Sequence, residues 1–448
     1  MANFSKSSVP RFSMDVYQNE YLPEGGREVD AIVTVTATGG GTIGSAVTAP
    51  HLYPSGQGPS AAVVVMVDCS GSMDYPPTKM RGAREATAAA IDTLRDGVRF
   101  AVVAGTHVAT EVYPGGGRLA VADATTRDQA RTALRRLGAG GGTAIGTWLR
   151  LADRLLASQD VAIRHGILLT DGRNEHESPD DLRATLDACA GRFTCDARGV
   201  GTDWEVKEVT GIASALLGTA DIVADPARLA ADFTRMMETA MGKEVADVAL
   251  RVWTPVGATI KFVKQVAPTV EELGDRRSEA GPRAGDYPTG SWGDESRDYH
   301  LCVEVPSANI GQEMLAARVS LVVPEPDGSS RNLGAQGLVR AVWTDDMAAS
   351  TSINPQVAHY TGQAELARAI QQGLDLRKAG DFDGATTKLG RAVQLANASG
   401  NADTAKLLAK VVDVVDAATG TVRLKAKVEE ADEMTLETRS TKTVRVKK

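Results

Sequence analysis

The sequence predicts a doubly wound α/β domain inserted in, or flanked by, a β-sandwich, with a small C-terminal α-helical region. Three observations carry this. Residues 59–242 alternate short apolar runs with helical stretches, the pattern of a parallel sheet covered on both faces. The segments at 28–37 and near 248–253, 259–265, 298–305, 314–323 and 334–343 alternate in period two, as half-buried antiparallel strands do. From 358 to 417 the apolar residues return to helical spacing.

The α/β part runs in order. AAVVVMV at 61–67 is an all-apolar run and reads as a buried strand. A helix follows over about 78–95, then a strand at 98–105, helices at about 127–137 and 144–157, and a strand at 164–170. SPDDLRATLDAC at 178–189 starts a helix: Ser178 caps it, Pro179 suits the first turn, and Asp180 and Asp181 favour its positive end. A strand at 192–200, a short helix at 204–215, a strand at 220–224 and a helix at 226–241 complete the run, the last with Asp225 as cap and Pro226 behind it. The sandwich strands lie on both sides of this region. The economical division is therefore a discontinuous sandwich over 1–58 and 243–345, the α/β domain over 59–242, a helical hairpin region over 346–418, and a polar tail over 419–448 that is expected to be disordered. Within the sandwich, 275–296 is charged, contains Gly and Pro, and reads as a mobile loop.

The 448 residues exceed a single core. Hydrophobic residues make up 43% and charged residues 24%, ordinary globular usage. The net charge of −8 is spread along the chain and argues against nucleic acid as a partner, since phosphate binding wants a basic face. MANFSKSSVPRFSMD has no apolar core of a signal peptide, and apolar runs such as Val63 to Val67 are strand-sized, so no membrane span is expected. Four cysteines without a CxxC pair suggest reduced thiols in a cytoplasmic protein. Rich alanine and arginine usage hints at a GC-rich bacterial genome.

Chemistry concentrates in three loops. DCSGSM at 68–73 follows the first buried strand and alternates Asp68, Ser70 and Ser72. GAGGGTAIG at 138–146 brings Thr143 to the start of a helix, and LLTDGRN at 168–174 places Asp171 after another buried strand. Ligands of open α/β sheets sit at the carboxyl ends of the strands, where these loops converge. Carboxylates and hydroxyls are hard donors of the kind Mg²⁺ prefers. A lone DxSxS is a common turn pattern; three loops on three strand ends are far more specific.

Asp68-x-Ser70-x-Ser72, Thr143 and the Thr-Asp171-Gly turn resemble the metal-ion-dependent adhesion site of von Willebrand factor A (VWA) domains, in order and on the expected elements. GVGTDWE at 199–205 resembles the family's late strand-to-loop segment. The resemblance covers 59–242. It implies Mg²⁺ or Mn²⁺ held by the two serines, the threonine and the aspartates, partly through water, with one coordination position left for an Asp or Glu of a protein partner.

Other chemistry fares worse. GGGTIG at 39–44 fits GxGxxG, but no helix succeeds it. There is no GxxxxGK[ST] and no GxSxG. No activated nucleophile accompanies His176, which reads as a rim residue, so no enzyme activity is expected. Cys69 reads as a packed thiol, Cys189 and Cys195 as core, and Trp204 as a helix anchor. Two functions compete. The first is a Mg²⁺-dependent protein-binding adaptor or scaffold. The second is a non-ATPase subunit working with a separate AAA+ ATPase, as some resembling VWA proteins do. The tail threonines Thr435, Thr438 and Thr441 beside Arg439 and Lys442 suggest a further epitope, for a phosphothreonine-reading domain.

Overall fold

Eight consecutive buried residues, Ala61–Asp68, form the central strand of a seven-stranded sheet. A strand with no exposed face needs neighbours on both edges and cover on both sides. The computed structural model, which describes residues 10–39, 59–325 and 327–446, supplies both. On one edge stand Ile163–Thr170, Thr194–Val200 and Ala220–Val223, all parallel. On the other stands Arg99–Gly105, also parallel, followed by Ala109–Tyr113 and Ala120–Val121, which pair with it antiparallel. The sheet is thus mixed. These two strands, of only five and two residues around the glycine-rich turn 114–118, leave no periodic signal between 105 and 127.

Helices Thr78–Thr93 and Leu229–Met241 cover one face. Their Ala83, Ala86, Ala90, Ile91, Phe233 and Met237 join Val63, Val65 and Val67 in one core. Ile145–Ala157 covers the other face. Its Trp148 lies on Gly105, where a Cβ would meet the indole at 2.3 Å. The caps read from sequence are in place: Ser178 Oγ accepts from Asp181 N at 3.1 Å and Asp225 from Ala227 N at 3.0 Å. These elements belong to one unit, residues 59–246 with 290–294.

The second unit comprises Arg11–Thr38, Asp247–Thr289 and Glu295–Lys448. It holds two sheets. One, of five strands, is ordered Arg11–Gln18, Glu28–Thr38, Glu295–Glu304, Thr259–Ala267, Glu271–Glu272. The other, of six, is ordered Ser278–Gly281, Ala284–Trp292, Val245–Trp253, Glu313–Pro324, Ser330–Trp343, Tyr21–Leu22. They approach where Gly337 faces Val16 and Met14; a Cβ there would lie 2.7 Å from Val16. The GGGTIG stretch lies outside the described residues from 40 onward.

The segment 275–296 is not a loop. It forms the strands Ser278–Gly281 and Ala284–Trp292 and leads into Glu295–Glu304. A charged segment can lie in a sheet here because the charges are paired: Asp286 holds Arg251 at 2.7 Å, while Tyr287 is buried.

The helical region consists of Pro355–Lys378, Phe382–Ser399 and Ala402–Val411, capped by Asn354, Asp381 and Asn401. Gly400 ends the second helix in the left-handed conformation, φ +67°, where glycine carries no steric penalty.

The polar tail is ordered, against expectation. Thr421–Leu424 pairs with Val412–Asp416, and Glu430–Thr438 is a helix. Leu436 is fully buried in a core with Leu366, Ile370, Leu374 and Leu389. Its acids are neutralised, Glu437 by Lys378 at 2.7 Å and Asp432 by Lys410 at 2.7 Å. A composition that signals disorder on average here carries the few apolar residues needed to dock one helix. The Thr435 and Thr438 hydroxyls bond backward to Ala431 O and Met434 O, and Thr438 is buried. The Thr441 carbonyl accepts from Val270 N at 2.8 Å.

Candidate metal centre

The five oxygen-bearing side chains singled out in the sequence lie together at the carboxyl edge of the seven-stranded sheet. Asp68 ends its strand, and Ser70 and Ser72 sit at the start of the 3-10 turn Gly71–Asp74. Asp68 Oδ1 accepts from Ser70 N at 2.8 Å and from Ser70 Oγ at 2.5 Å. Ser70 Oγ lies 3.0 Å from Ser72 Oγ, which donates to Asp171 Oδ1 at 2.6 Å. The chain of contacts therefore runs from the first loop to the third without a gap.

The second loop is tied to the first in both directions: Gly71 N donates to Gly141 O at 2.9 Å, and Gly140 N to Cys69 O at 2.8 Å. Thr143 follows, buried to 5% exposure. A Cβ added at Gly172 would fall 3.1 Å from Ser72 Oγ, 3.5 Å from Thr143 Oγ1 and 3.8 Å from Ser70 Oγ. The three hydroxyls thus face one small volume, and residue 172 must be small to leave it open. His176 Nδ1 accepts from Thr143 N at 3.2 Å, and His176 N donates to Thr143 O at 2.9 Å. The ring is exposed and rests on Gly142, whose Cβ would meet it at 2.2 Å. The rim reading of His176 stands, with the added role of holding the threonine loop.

Several participants escaped the sequence reading. Thr170 Oγ1 donates to Asp68 Oδ2 at 2.7 Å. Asn174 Oδ1 accepts from Ile145 N at 2.7 Å and Glu177 Oε1 from Gly146 N at 2.6 Å, so the third loop caps the helix that carries the second. Most consequential is Lys79. From the first turn of its helix it reaches Asp171 Oδ2 at 2.7 Å and Asp203 Oδ2 at 3.0 Å. The signals were present: Asp203 lies in the GVGTDWE segment already marked, and Lys79 begins the helix that the first loop feeds.

Electrostatics follow from burial. Desolvation pushes the Asp68 carboxyl above its usual range; hydrogen bonds from Ser70 and Thr170 counter this, and the neighbouring Asp171 adds to it. Burial works against the Lys79 ammonium, but its bonds to Asp171 and Asp203 outweigh that and hold its pKa above the ordinary value. Two carboxylates, Asp171 and Asp203, thus meet one ammonium, and Asp68 lies beside Asp171, which leaves room for further positive charge. The Cys69 thiol, between two site residues, is pushed up to about 12 by burial and by Asp68, which makes it an inert packed group. Trp204 is buried, its indole N–H bonded to Gly201 O at 3.0 Å, and anchors its loop.

Among the described residues, no three His, Cys, Asp or Glu side chains form a metal cluster. The centre depends on hydroxyls as much as carboxylates. That donor set, hard and all-oxygen with two acids, fits a small hard divalent cation. Asp68, Ser70, Ser72, Thr143 and Asp171 are the residues that would hold it.

The von Willebrand factor type A from Catenulispora acidiphila is 53% identical to this chain over 99% of both, with a TM-score of 0.91. The chain belongs to the von Willebrand factor type A family. Within this VWA chain, the von Willebrand factor type A domain matches residues 63–173, a span that includes all five site residues, and the von Willebrand factor type A C-terminal domain matches 394–440. The second match covers the ordered tail helix. The ArnB paralog VWA2 from Sulfolobus acidocaldarius is 13% identical over 96% of this chain and 98% of its own, TM-score 0.58. The human COPII-coat protein Sec24c is 12% identical over 87% of this chain and 58% of its own, TM-score 0.54. Both share the fold. No curated protein sequence matched.

Proposed function

We propose that this VWA chain is a non-catalytic cytoplasmic adaptor or scaffold that binds a protein partner through Mg²⁺ or Mn²⁺ held by Asp68, Ser70, Ser72, Thr143 and Asp171. The observation that carries the reading is the convergence of three hydroxyls and two carboxylates on one open sheet edge, with the Ser72–Asp171 bond at 2.6 Å joining loops 99 positions apart in sequence. When bound, such an ion supplies an exchangeable coordination position that a carboxylate of the partner can take. This chain's own residues do the rest. Thr170 and the Ser70 backbone orient Asp68, the paired loops fix the hydroxyls, and His176 steadies Thr143. The partner is a protein presenting Asp or Glu. Exposed Tyr75, 82% accessible and three residues past Ser72, offers it an aromatic contact. Four free, buried cysteines support the cytoplasmic reading, and no described helix is long and apolar enough to cross a membrane.

The test is affinity capture from the native cells with the full chain as bait, in Mg²⁺ and in EDTA, alongside Asp68→Ala. A protein held in Mg²⁺ and released both by EDTA and by the substitution supports the proposal. Partners unaffected by either would overturn it. An AAA+ ATPase among the metal-dependent partners would assign the chain to an ATP-driven machine.

A further inference from the structure

The solvent face of the six-stranded sheet carries a second charged feature, unrelated to the metal centre. Trp253 lies beside two arginines. The Arg283 guanidinium carbon is 5.2 Å from the centre of its ring and the Arg318 carbon 5.4 Å. The tryptophan is half-buried and both arginines are exposed.

What sets the two arginines apart is their lack of counter-charge. Other arginines of this sheet are neutralised: Arg251 by Asp286 at 2.7 Å, Arg331 by Glu325 at 3.3 Å, Arg340 by Glu313 at 3.8 Å. Among the described residues, neither Arg283 nor Arg318 has a side-chain hydrogen bond or ion pair. A cation over an aromatic face is held without spending its N–H donors. A guanidinium so placed is ordered, and its fork stays open to a carboxylate.

The surroundings extend the patch. Trp253 is the direct cross-strand partner of Arg318, and Arg318 of Leu338, so the three stand in one row. Leu338 is 41% exposed. Along the next row in the same face run Arg251, Ser320 and Gln336. Arg283 occupies a left-handed backbone position, φ +66°, fixed by Thr254 N donating to its carbonyl at 3.0 Å. That conformation favours glycine, yet a long cationic side chain is kept there.

We propose that Trp253, Arg283, Arg318 and Leu338 form a docking surface for an acidic segment of a partner protein, its carboxylates on the two guanidiniums and an apolar side chain against Leu338 and the indole edge. Charge complementarity selects this occupant. Among the described residues the two cations are uncompensated, in a chain of net charge −8, which repels an extended polyphosphate but leaves a local site for a short acidic stretch. Trp and Arg are also among the residues enriched at interface hot spots.

The experiment uses the full chain in EDTA, so that the metal centre does not contribute, and reads fluorescence anisotropy of a short fluorescein-labelled peptide of Glu, Asp and Leu at low salt. Arg283→Gln/Arg318→Gln removes both charges from exposed positions. Binding by the native chain, weakened about tenfold or more in the double variant, partly retained in Arg283→Lys/Arg318→Lys, and unchanged in Asp68→Ala, is the expected result. No binding by the native chain, equal affinity in the glutamine variant, or loss in Asp68→Ala alone would overturn the proposal. So would a single-stranded oligonucleotide that displaces the peptide and loses affinity in the same glutamine variant.

Discussion

Lys79 brings a positive charge to the carboxylates of the centre. Its ammonium is the cation that contacts buried Asp171, with Asp68 close behind. Replacing it by methionine keeps the packed stem but leaves carboxylates buried without their partner, a change that costs about 3 kcal/mol. A divalent cation would make up that loss. Lys79→Met is therefore expected to melt well below the native chain in EDTA and to gain more in melting temperature than the native chain when Mg²⁺ is added. Differential scanning fluorimetry checks it; equal Mg²⁺-induced shifts would sever Lys79 from the centre. At this scale the sequence was legible for residues in a motif with fixed spacing, Asp68, Ser70, Ser72, Thr143 and Asp171. Lys79 and Asn174 were not, because a lysine in a first turn and an asparagine in a loop have many ordinary uses, and only their partners distinguish them.

Among elements, the strands Ile163–Thr170 and Thr194–Val200 are cross-linked by side chains at the edge away from the metal centre. His165 Nε2 lies 2.9 Å from Asp196 Oδ2, and Asp196 Oδ1 accepts from both Thr219 N and Thr219 Oγ1. Burial alone would raise the Asp196 carboxyl, but His165, Arg198 and Thr219 outweigh it and hold it well below its usual 3.8. A carboxyl depressed in the folded state contributes stability that is present above its unfolded pKa and lost as pH falls through the folded value. Stability from this pair is thus full at neutral pH and declines below about pH 4. His165→Ala should cost about 2–3 kcal/mol at neutral pH and flatten the acid limb of the stability profile. Urea denaturation across pH measures both; an unchanged acid limb would contradict the assignment. Elements were legible where periodicity ran long, as in Ala61–Asp68 and Pro355–Lys378. The strands Ala109–Tyr113 and Ala284–Trp292 were hidden, one by shortness and the other by charges whose pairing partners lie far along the chain.

For the whole molecule, the ordered tail changes what a deletion means. Removing 430–448 takes Leu436 out of a core shared with Leu374 and Leu389, removes buried Met434, and breaks the Lys378–Glu437 pair. Burial of one leucine contributes about 1.5–3 kcal/mol, so the truncated chain is expected to expose its helical region to limited proteolysis faster than the native chain. Cleavage at the native rate would show the helix to be dispensable. Phosphate on buried Thr438 would require the same undocking, so the docked tail helix would oppose any phosphothreonine reader at that position. The tail was illegible in sequence because composition averages over thirty residues what two apolar side chains decide. The central claim, that two loops from strand ends and the threonine loop between helices Ala124–Leu134 and Ile145–Ala157 build one divalent-cation site, is tested most directly by isothermal titration of Mg²⁺ into the full chain, native, Asp68→Ala and Asp171→Ala. A single site in the native chain that is lost in both variants, with their folds retained by circular dichroism, is the predicted result; no native binding, or equal affinity in all three, would contradict it.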